Sequence, residues 1–442
     1  MSMARRVFIE TYGCQMNEAD SELMFGLLRH QGYSVAESVD DADVVLLNTC
    51  AVRERAEERI FGRLGWLKTM KAERPDVVLG VTGCMAERMR DTLVKRAPFV
   101  DLVIGPDAYR RLPELIEAQA QPDVVDSTID VRLDRTEMYD GVEVDRVPGI
   151  SGWISVQRGC DKFCTFCIVP FVRGRERSLP PEEVVAQARE MAEQGFKEVT
   201  LLGQTVSSYY ERGCDFADLL TMVHDEVPAL ERIRFTSPYP NDFSNRLLDT
   251  LARLPRLGKH LHLPVQSGSS RLLKDMRRGY TAEAFYDLID RVRERLPDWA
   301  ITTDIIVGYP GETDEDYQAT MALVERVQFE GAFTFRYSER EGTKASRTKP
   351  DDVSDALKRS RLSHLIDVQR RISKERFTAM IGREVEVLVH GPGKKQPNQM
   401  MGRTSCFKTT VLPEQPGIEV GTMVRARITA TTGHTLFAEV LG

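Results

Sequence analysis

Three cysteines on one short loop constrain this chain more than any other feature. Arg158-Gly159-Cys160-Asp161-Lys162-Phe163-Cys164-Thr165-Phe166-Cys167 directly follows a strand-like run. Thiolates at C-x3-C-x2-C spacing can bind three irons of a cubane cluster, and no fourth Cys follows at the expected spacing. One iron is then left open, which is what a catalytic metal site needs. Zinc would want a fourth Cys or His close by, and Ile168-Val169-Pro170 offers none. The plain alternative is three buried structural thiols, which this spacing disfavours.

The chain has 442 residues, enough for two to four domains, and 42% are apolar, which excludes global disorder. No window reaches the ~18 uninterrupted apolar residues of a membrane span. Met1–Glu10 lacks the long apolar core of a signal peptide. The expectation is a cytoplasmic chain without a membrane partner, where disulfides are rare. Eight cysteines then need another use: Cys14, Cys50, Cys84, Cys160, Cys164, Cys167, Cys214 and Cys406.

The first segment alternates apolar runs (Val7–Tyr12, Asp43–Asn48, Val77–Thr82, Leu102–Gly105) with helical patterns (Asn17–His30, Arg53–Lys71, Ala86–Arg96, Ala108–Ala118). This order predicts an open parallel sheet with helices on its faces. Cys14, Cys50 and Cys84 each fall just past a strand's C-terminal end, the edge where such sheets bind ligands. Each alone reads as a core thiol. As a trio, in a chain with a second three-cysteine set, they point to a second cluster. Gly13 and Gly83 beside them suit close backbone approach. Domain one is therefore 1–120, and the acidic, aperiodic stretch that follows places a linker at 121–147.

Six further strands are expected at Trp153–Gln157, Glu198–Leu202, Arg232–Thr236, Leu261–Val265, Ile301–Val307 and Phe333–Tyr337. Helical patterns at Pro181–Gln194, Asp215–Val227, Asn241–Leu254, Ala282–Leu296 and Asp314–Val327 separate them. Six βα units curl into a partial barrel open at its C-terminal strand edge. With the long helix Asp351–Met380 this makes a domain over 148–382. From Arg383 the pattern shortens to strands at Glu384–His390, Lys408–Leu412, Thr422–Ala430 and Leu436–Val440, predicting a small all-β barrel over 383–442.

Sixty Lys+Arg against 67 Asp+Glu give a net charge of −7, which excludes a wholly basic binder. The distribution is uneven. Residues 358–382 hold seven Lys/Arg against two acids, and 383–442 hold seven against five. The C-terminal end is thus near +7 and the remainder near −14. A basic end suits a nucleic-acid partner; a solvated helix face is the alternative.

The loop at Cys160–Cys167 resembles that of the radical S-adenosylmethionine superfamily, whose core is also a partial six-stranded barrel. With the N-terminal cysteines and the C-terminal barrel, nearly the whole chain resembles its methylthiotransferase family. The matching segments are Tyr12–Asn17, Phe166–Phe171, Arg173–Ser178, His262–Ser269, Asp304–Thr313, Lys394–Gln399 and Gly402–Thr404. The resemblance implies two [4Fe–4S] clusters, one on Cys14, Cys50 and Cys84 and one on Cys160, Cys164 and Cys167. It implies a TRAM-type RNA-binding barrel and Phe166 near the adenine of S-adenosylmethionine. One S-adenosylmethionine would methylate a sulfur at the auxiliary cluster. A second would yield a 5′-deoxyadenosyl radical that takes hydrogen from carbon 2 of an adenine. The implied substrate is N6-dimethylallyladenosine beside the anticodon of tRNA. An electron donor such as flavodoxin or ferredoxin is implied, and a monomer is expected. Two segments depart from the family pattern: Thr205 and Ser207 within Gly203–Tyr209, and Tyr239 within Ser237–Pro240.

Weaker candidates remain. Gly203, Gln204, Gln266 and Gly308, near strand ends, are candidate cofactor contacts, with ordinary strand-to-loop turns as the alternative. Arg173, Arg175, Arg177, Lys394, Lys395 and Arg403 are candidates for RNA, with loop salt bridges as the alternative for the first three. His262 reads as a satisfied core histidine. Cys214 and Cys406 are assigned to no cluster, and Asp215 reads as a helix start. A related enzyme acting on a ribosomal-protein aspartate, or on threonylcarbamoyl-adenosine in tRNA, is the nearest alternative function. The segments at Gln15–Asn17 and Arg173–Arg177 disfavour the ribosomal version. An electron-transfer or RNA-binding protein without turnover is the alternative from another class, and the open iron disfavours it.

Overall fold

Val44–Thr49 and Val78–Gly83 are buried at every position, as strands covered on both faces must be. They are central strands of a six-stranded parallel sheet in the computed structural model, which describes residues 5–51, 54–121, 124, 126–393 and 398–441. The chain folds as two compact units. One comprises Met1–Val147, Ser155–Phe163 and Cys167–Glu183; the other comprises Pro148–Ile154, Cys164–Phe166 and Val184–Gly442.

The first unit's sheet runs Ser34–Val35, Arg6–Thr11, Val44–Thr49, Val78–Gly83, Leu102–Ile104, Thr128–Asp130, with every pair parallel. Alternate side chains feed two cores. Val45, Leu47, Leu79 and Val81 pack with Ile60, Leu64 and Leu67. Val44, Leu46 and Val78 pack with Leu23, Met24, Leu28, Leu112 and Ile116 on the other face. Two expectations need correction. The helix expected over Ala86–Arg96 is two, Cys84–Met89 and Asp91–Arg96, because Arg90 takes a left-handed φ of 47°. The stretch read as a linker contributes the sixth strand and core residues Tyr139 and Val142. The Tyr139 hydroxyl donates to the Pro106 carbonyl at 2.7 Å and accepts from the Tyr109 amide at 3.1 Å. Three-residue strands and isolated anchors leave no period to read.

In the second unit the six expected strands form two three-stranded sheets, with Glu198–Leu202 parallel to Arg232–Phe235 and the second sheet parallel throughout. Arg232–Phe235, Glu198–Leu202 and Ser151–Ser155 make one; His260–His262, Ala300–Val307 and Gly331–Arg336 make the other. A parallel bridge between Ile233 and Leu257 links the chain segments. Hydroxyl caps start the intervening helices: Ser244 before Asn245–Arg253, Thr281 before Ala282–Arg295 and Thr313 before Asp314–Val327. The C-terminal barrel is closed by five strands: Glu384–Pro392, Gln399–Thr404, Thr409–Pro413, Leu436–Val440 and Met423–Thr431. Gln399–Thr404 escapes sequence reading because Gln-Met-Met-Gly-Arg has no β-branched residue.

The turn Arg403–Phe407 anchors this barrel to the six-stranded core. Buried Arg232 and Arg234 flank Glu198, at 3.8 and 2.7 Å. They donate to the carbonyls of Arg403, Thr404 and Ser405 at 2.9–3.0 Å. Phe407 stacks on His260, with ring centroids 5.4 Å apart. The C-terminal positive charge is also largely engaged inside the fold. On helix Asp355–Thr378, Lys358 pairs with Asp351, Arg361 with Glu312, Arg371 with Glu325, and Arg376 with Glu330. Lys408 joins Glu330 at 2.9 Å.

Burial and the Arg234 charge push the His260 imidazole from 6.5 down to about 3. An unfolded histidine gains a proton near pH 6.5, whereas folded His260 resists it to about pH 3. Stability from this group is full above pH 6.5 and falls as pH drops through that window. Acid unfolding of the His260→Phe variant should show a shallower stability loss between pH 6.5 and 4. An unchanged slope would show that His260 does not titrate there.

Candidate metal centres and cofactor site

In the first unit, three adjacent parallel strands end at cysteines. Cys14 follows Arg6–Thr11 and caps helix Gln15–His30, Cys50 follows Val44–Thr49, and Cys84 follows Val78–Gly83 and opens a helix. Register pairs Thr11 with Asn48 and Thr49 with Gly83, so the three thiols emerge side by side. A hydrogen bond involving Cys50 brings the Cys14 thiol down to about 6; burial pushes the Cys84 thiol up while the Arg173 charge opposes it. Two glycines hold the backbone close. A Cβ on Gly13 would lie 2.8 Å from Cys50 Cβ, and one on Gly83 would lie 2.5 Å from the Thr49 carbonyl oxygen.

A buried polar layer braces these loops. Asn17 donates to Asn48 Oδ1 at 3.0 Å and to the Thr49 carbonyl at 3.2 Å, and Asn48 donates back to the Asn17 carbonyl at 2.8 Å. Arg173 Nε donates to Cys84 Sγ at 3.0 Å. Its Nη1 lies 2.7 Å from Asp20 Oδ2, and Arg158 holds the other Asp20 oxygen at 2.6 Å. Sequence reading misses Asp20, Arg158 and this role of Arg173. A hint was available for Asp20, an acid on the apolar face of a helix.

The RNA candidates need correction. Arg173 is buried against Asp20 and Cys84, and Arg177, half-buried as a residue, packs its guanidinium against Asp107 with its Nε donating to the Glu137 carbonyl. Arg175 is exposed but forks onto Asp161 at 2.6 and 2.9 Å. Arg403, in the second unit, is half-buried with its guanidinium 4.1 Å from the Phe407 ring centre. Lys394 and Lys395 lie outside the described residues.

On the Cys160–Cys167 loop, the Cys160 amide donates to the Gly174 carbonyl at 3.1 Å within the first unit. Cys164 and Phe166 belong to the second. Thr165 between them donates from its amide to the Met276 carbonyl at 3.1 Å and accepts from the Ala345 amide at 2.8 Å. Cys164 is buried, and its Sγ takes a hydrogen bond from Arg278 Nη1 at 3.2 Å, a contact sequence reading does not find. Phe166 packs against Leu272, Met276, Tyr309 and Tyr337.

The other candidates follow strand ends of the core. Gly203 and Gln204 follow Glu198–Leu202. Gln266 bridges to Ile305 with φ 74°, and Gly308 follows Ala300–Val307 with its amide donating to Glu312 at 2.7 Å. The Tyr239 amide donates to Ser207 Oγ at 2.7 Å, so the two segments that depart from the family pattern touch. His262 is satisfied by Thr302 at 3.0 Å and Asp304 at 3.3 Å. Asp215 caps helix Phe216–Glu226 as expected; Cys214 lies near Met222 and Cys406 near Thr404.

Among the described residues no three His, Cys, Asp or Glu side chains gather tightly enough to ligate one metal ion. A cubane makes a different demand, since each thiolate binds its own iron corner. Soft thiols, close-approach glycines and a buried arginine on one thiol of each set fit that demand.

Two three-stranded sheets with a C-x3-C-x2-C loop fit a radical S-adenosylmethionine protein, and the Radical SAM superfamily model matches residues 154–324. This membership implies a [4Fe–4S] cluster and S-adenosylmethionine. The model of an uncharacterized protein family, UPF0004, matches residues 6–105, and the TRAM domain matches 378–441. Among solved structures, the radical S-adenosylmethionine methyltransferase TsrM from Kitasatospora setae shares the fold at TM-score 0.57 and 16% identity, over 78% of this chain and 77% of its own. The cobalamin-dependent S-adenosylmethionine radical enzyme OxsB does so at 0.56 and 14%, over 84% and 61%. Among curated proteins, tRNA-2-methylthio-N(6)-dimethylallyladenosine synthase of Phocaeicola vulgatus is 44% identical over 98% of this chain and 96% of its own length. Those of a Thermoanaerobacter species (42%; 98% and 92%) and Bacillus velezensis (44%; 96% and 83%) are similar. The chain belongs to the tRNA-2-methylthio-N(6)-dimethylallyladenosine synthase family of radical S-adenosylmethionine methylthiotransferases.

Asp20→Ala leaves Arg158 and Arg173 buried without their carboxylate. Breaking such a pair costs about 3–5 kcal/mol. Urea unfolding of the metal-free protein should register that loss, while Arg175→Ala, on an exposed pair, should leave the transition in place. Equal effects would contradict the buried network.

Proposed function

We propose that the chain methylthiolates carbon 2 of N6-dimethylallyladenosine beside the anticodon of tRNA. The observation that carries this reading is the delivery of Cys14, Cys50 and Cys84 to one edge by three adjacent strands, in a chain that also has the Cys160–Cys167 loop. Family relatives named for this reaction match the chain nearly end to end. Cys14, Cys50 and Cys84 would hold an auxiliary [4Fe–4S] cluster, and Cys160, Cys164 and Cys167 the radical one. When bound, these groups supply the sulfur and the one-electron cleavage of S-adenosylmethionine.

The remaining roles belong to the chain itself. Phe166 would pack near the adenine of S-adenosylmethionine, with Gly203, Gln204, Gln266 and Gly308 meeting the cofactor at strand ends. Arg173 and Arg278 orient one thiol of each set. The C-terminal barrel would contact tRNA, and Arg175, Lys394 and Lys395 remain candidates for its phosphates. Electrons would come from a flavodoxin or ferredoxin.

Nucleosides of tRNA from a strain lacking this gene should lose the methylthio form and accumulate N6-dimethylallyladenosine. Normal tRNA with an unmodified ribosomal-protein aspartate would replace this reading with the related one. Separately, anaerobically reconstituted protein should hold about eight irons, for two cubanes. The combined Cys14→Ala, Cys50→Ala, Cys84→Ala variant should hold about four and still cleave S-adenosylmethionine. Unchanged iron would remove the auxiliary cluster.

A further inference from the structure

Arg278 is 6% exposed. Every donor nitrogen of its guanidinium is engaged. Nη1 reaches Cys164 Sγ at 3.2 Å, Nη2 the Pro264 carbonyl at 2.8 Å, and Nε the Tyr280 hydroxyl at 3.1 Å. The rings of Tyr239 and Tyr280 lie 5.0 and 5.5 Å from its central carbon. The Tyr239 hydroxyl donates to the Arg278 carbonyl and clamps its backbone. Among the described residues no carboxylate ion-pairs with it. Arg173, on Cys84, differs: Asp20 balances it at 2.7 Å. A buried cation without a carboxylate is unfavourable unless another anion faces it. The group its Nη1 faces is the buried Cys164 sulfur, at 3.2 Å.

We infer that Arg278 is a positioning residue whose charge fixes the Cys164 thiolate and raises the reduction potential of the cluster on Cys160, Cys164 and Cys167. The inference rests on the reading that those cysteines hold a cluster. Reduction adds one electron, taken from the external donor, and no atom is transferred. The reduced cluster carries one more negative charge, so a fixed cation in a low-dielectric surround favours it. Hydrogen bonds to cluster sulfurs act in the same direction. Tyr239 and Tyr280 shield the guanidinium from water and prevent the screening that would cancel the effect.

The test uses the full chain with Cys14, Cys50 and Cys84 changed to Ala, so that one cluster signal remains. Dithionite-poised EPR titration should give Arg278→Met a midpoint potential lower by at least a tenfold change in the one-electron equilibrium, about 59 mV. Arg278→Lys, which keeps the charge, should fall less, and Arg175→Met, an exposed charge near the same loop, should not shift. An unmoved Arg278→Met, or equal shifts in Arg278→Met and Arg175→Met, overturns the inference. Should Arg278→Met hold no iron, the parent chain decides. Arginine labelled with nitrogen-15 should show a hyperfine coupling to the reduced cluster that Arg278→Lys abolishes, and its absence overturns the inference. A parent that binds no four-iron cluster refutes the underlying cluster reading, and the inference with it.

Discussion

Parallel pairing of neighbouring strands is the constraint on which the rest depends. In a parallel sheet all strands end on the same edge, and residues just past those ends share one rim. Thr11 opposite Asn48 and Thr49 opposite Gly83 bring three cysteines, dozens of residues apart in sequence, to that rim. An antiparallel arrangement would send alternate ends to opposite edges. The Asn17–Asn48 pair then locks the loops at backbone level, where a shifted register would leave buried amides unsatisfied.

Charge is arranged around sulfur. Buried arginines donate to Cys84 and to Cys164 from different parts of the chain. In the first unit Asp20 answers two guanidiniums; in the second, aromatic rings enclose one. A thiolate held at either position would be an anion in a low-dielectric setting, and the cation beside it would offset its desolvation. A similar logic governs the C-terminal end. Its positive excess is mostly engaged by Asp351, Glu312, Glu325 and Glu330 on the core. The basic segment therefore works largely as an attachment. Arg232 and Arg234 reinforce it by bonding the barrel's turn through backbone carbonyls, contacts that are indifferent to that turn's side chains.

Much of the architecture was legible along the chain. Strands such as Glu198–Leu202 and helices such as Asp314–Val327 carry strong periodicity or a hydroxyl cap, and both are local signals. Gln399–Thr404 and Thr128–Asp130 were not legible: the first is poor in β-branched residues, the second is too short to show a period, and pairing partners supply the order of both. The position of Cys14, Cys50 and Cys84 just past strand ends was legible from periodicity. Arg278, Asp20 and Arg158 were not, since a buried arginine and a surface arginine look alike until folding encloses one. Arg173 and Arg177 illustrate the same point: a run of arginines beside a loop suggests phosphate binding, yet two of the three are enclosed.

The sequence by itself determined which chemistry is available. Residue type and spacing put three thiols on the Cys160–Cys167 loop, and periodicity decides that Cys14, Cys50 and Cys84 follow strands. Those properties are carried within short stretches of covalent chain. Tertiary structure decided which strands are neighbours, which thiol faces which arginine, and which cations are left for solvent. These depend on contacts between residues far apart in sequence, such as Arg278 with Cys164 and Asp20 with Arg158 and Arg173. Burial sets the strength of such contacts by lowering the local dielectric, and no local pattern encodes it.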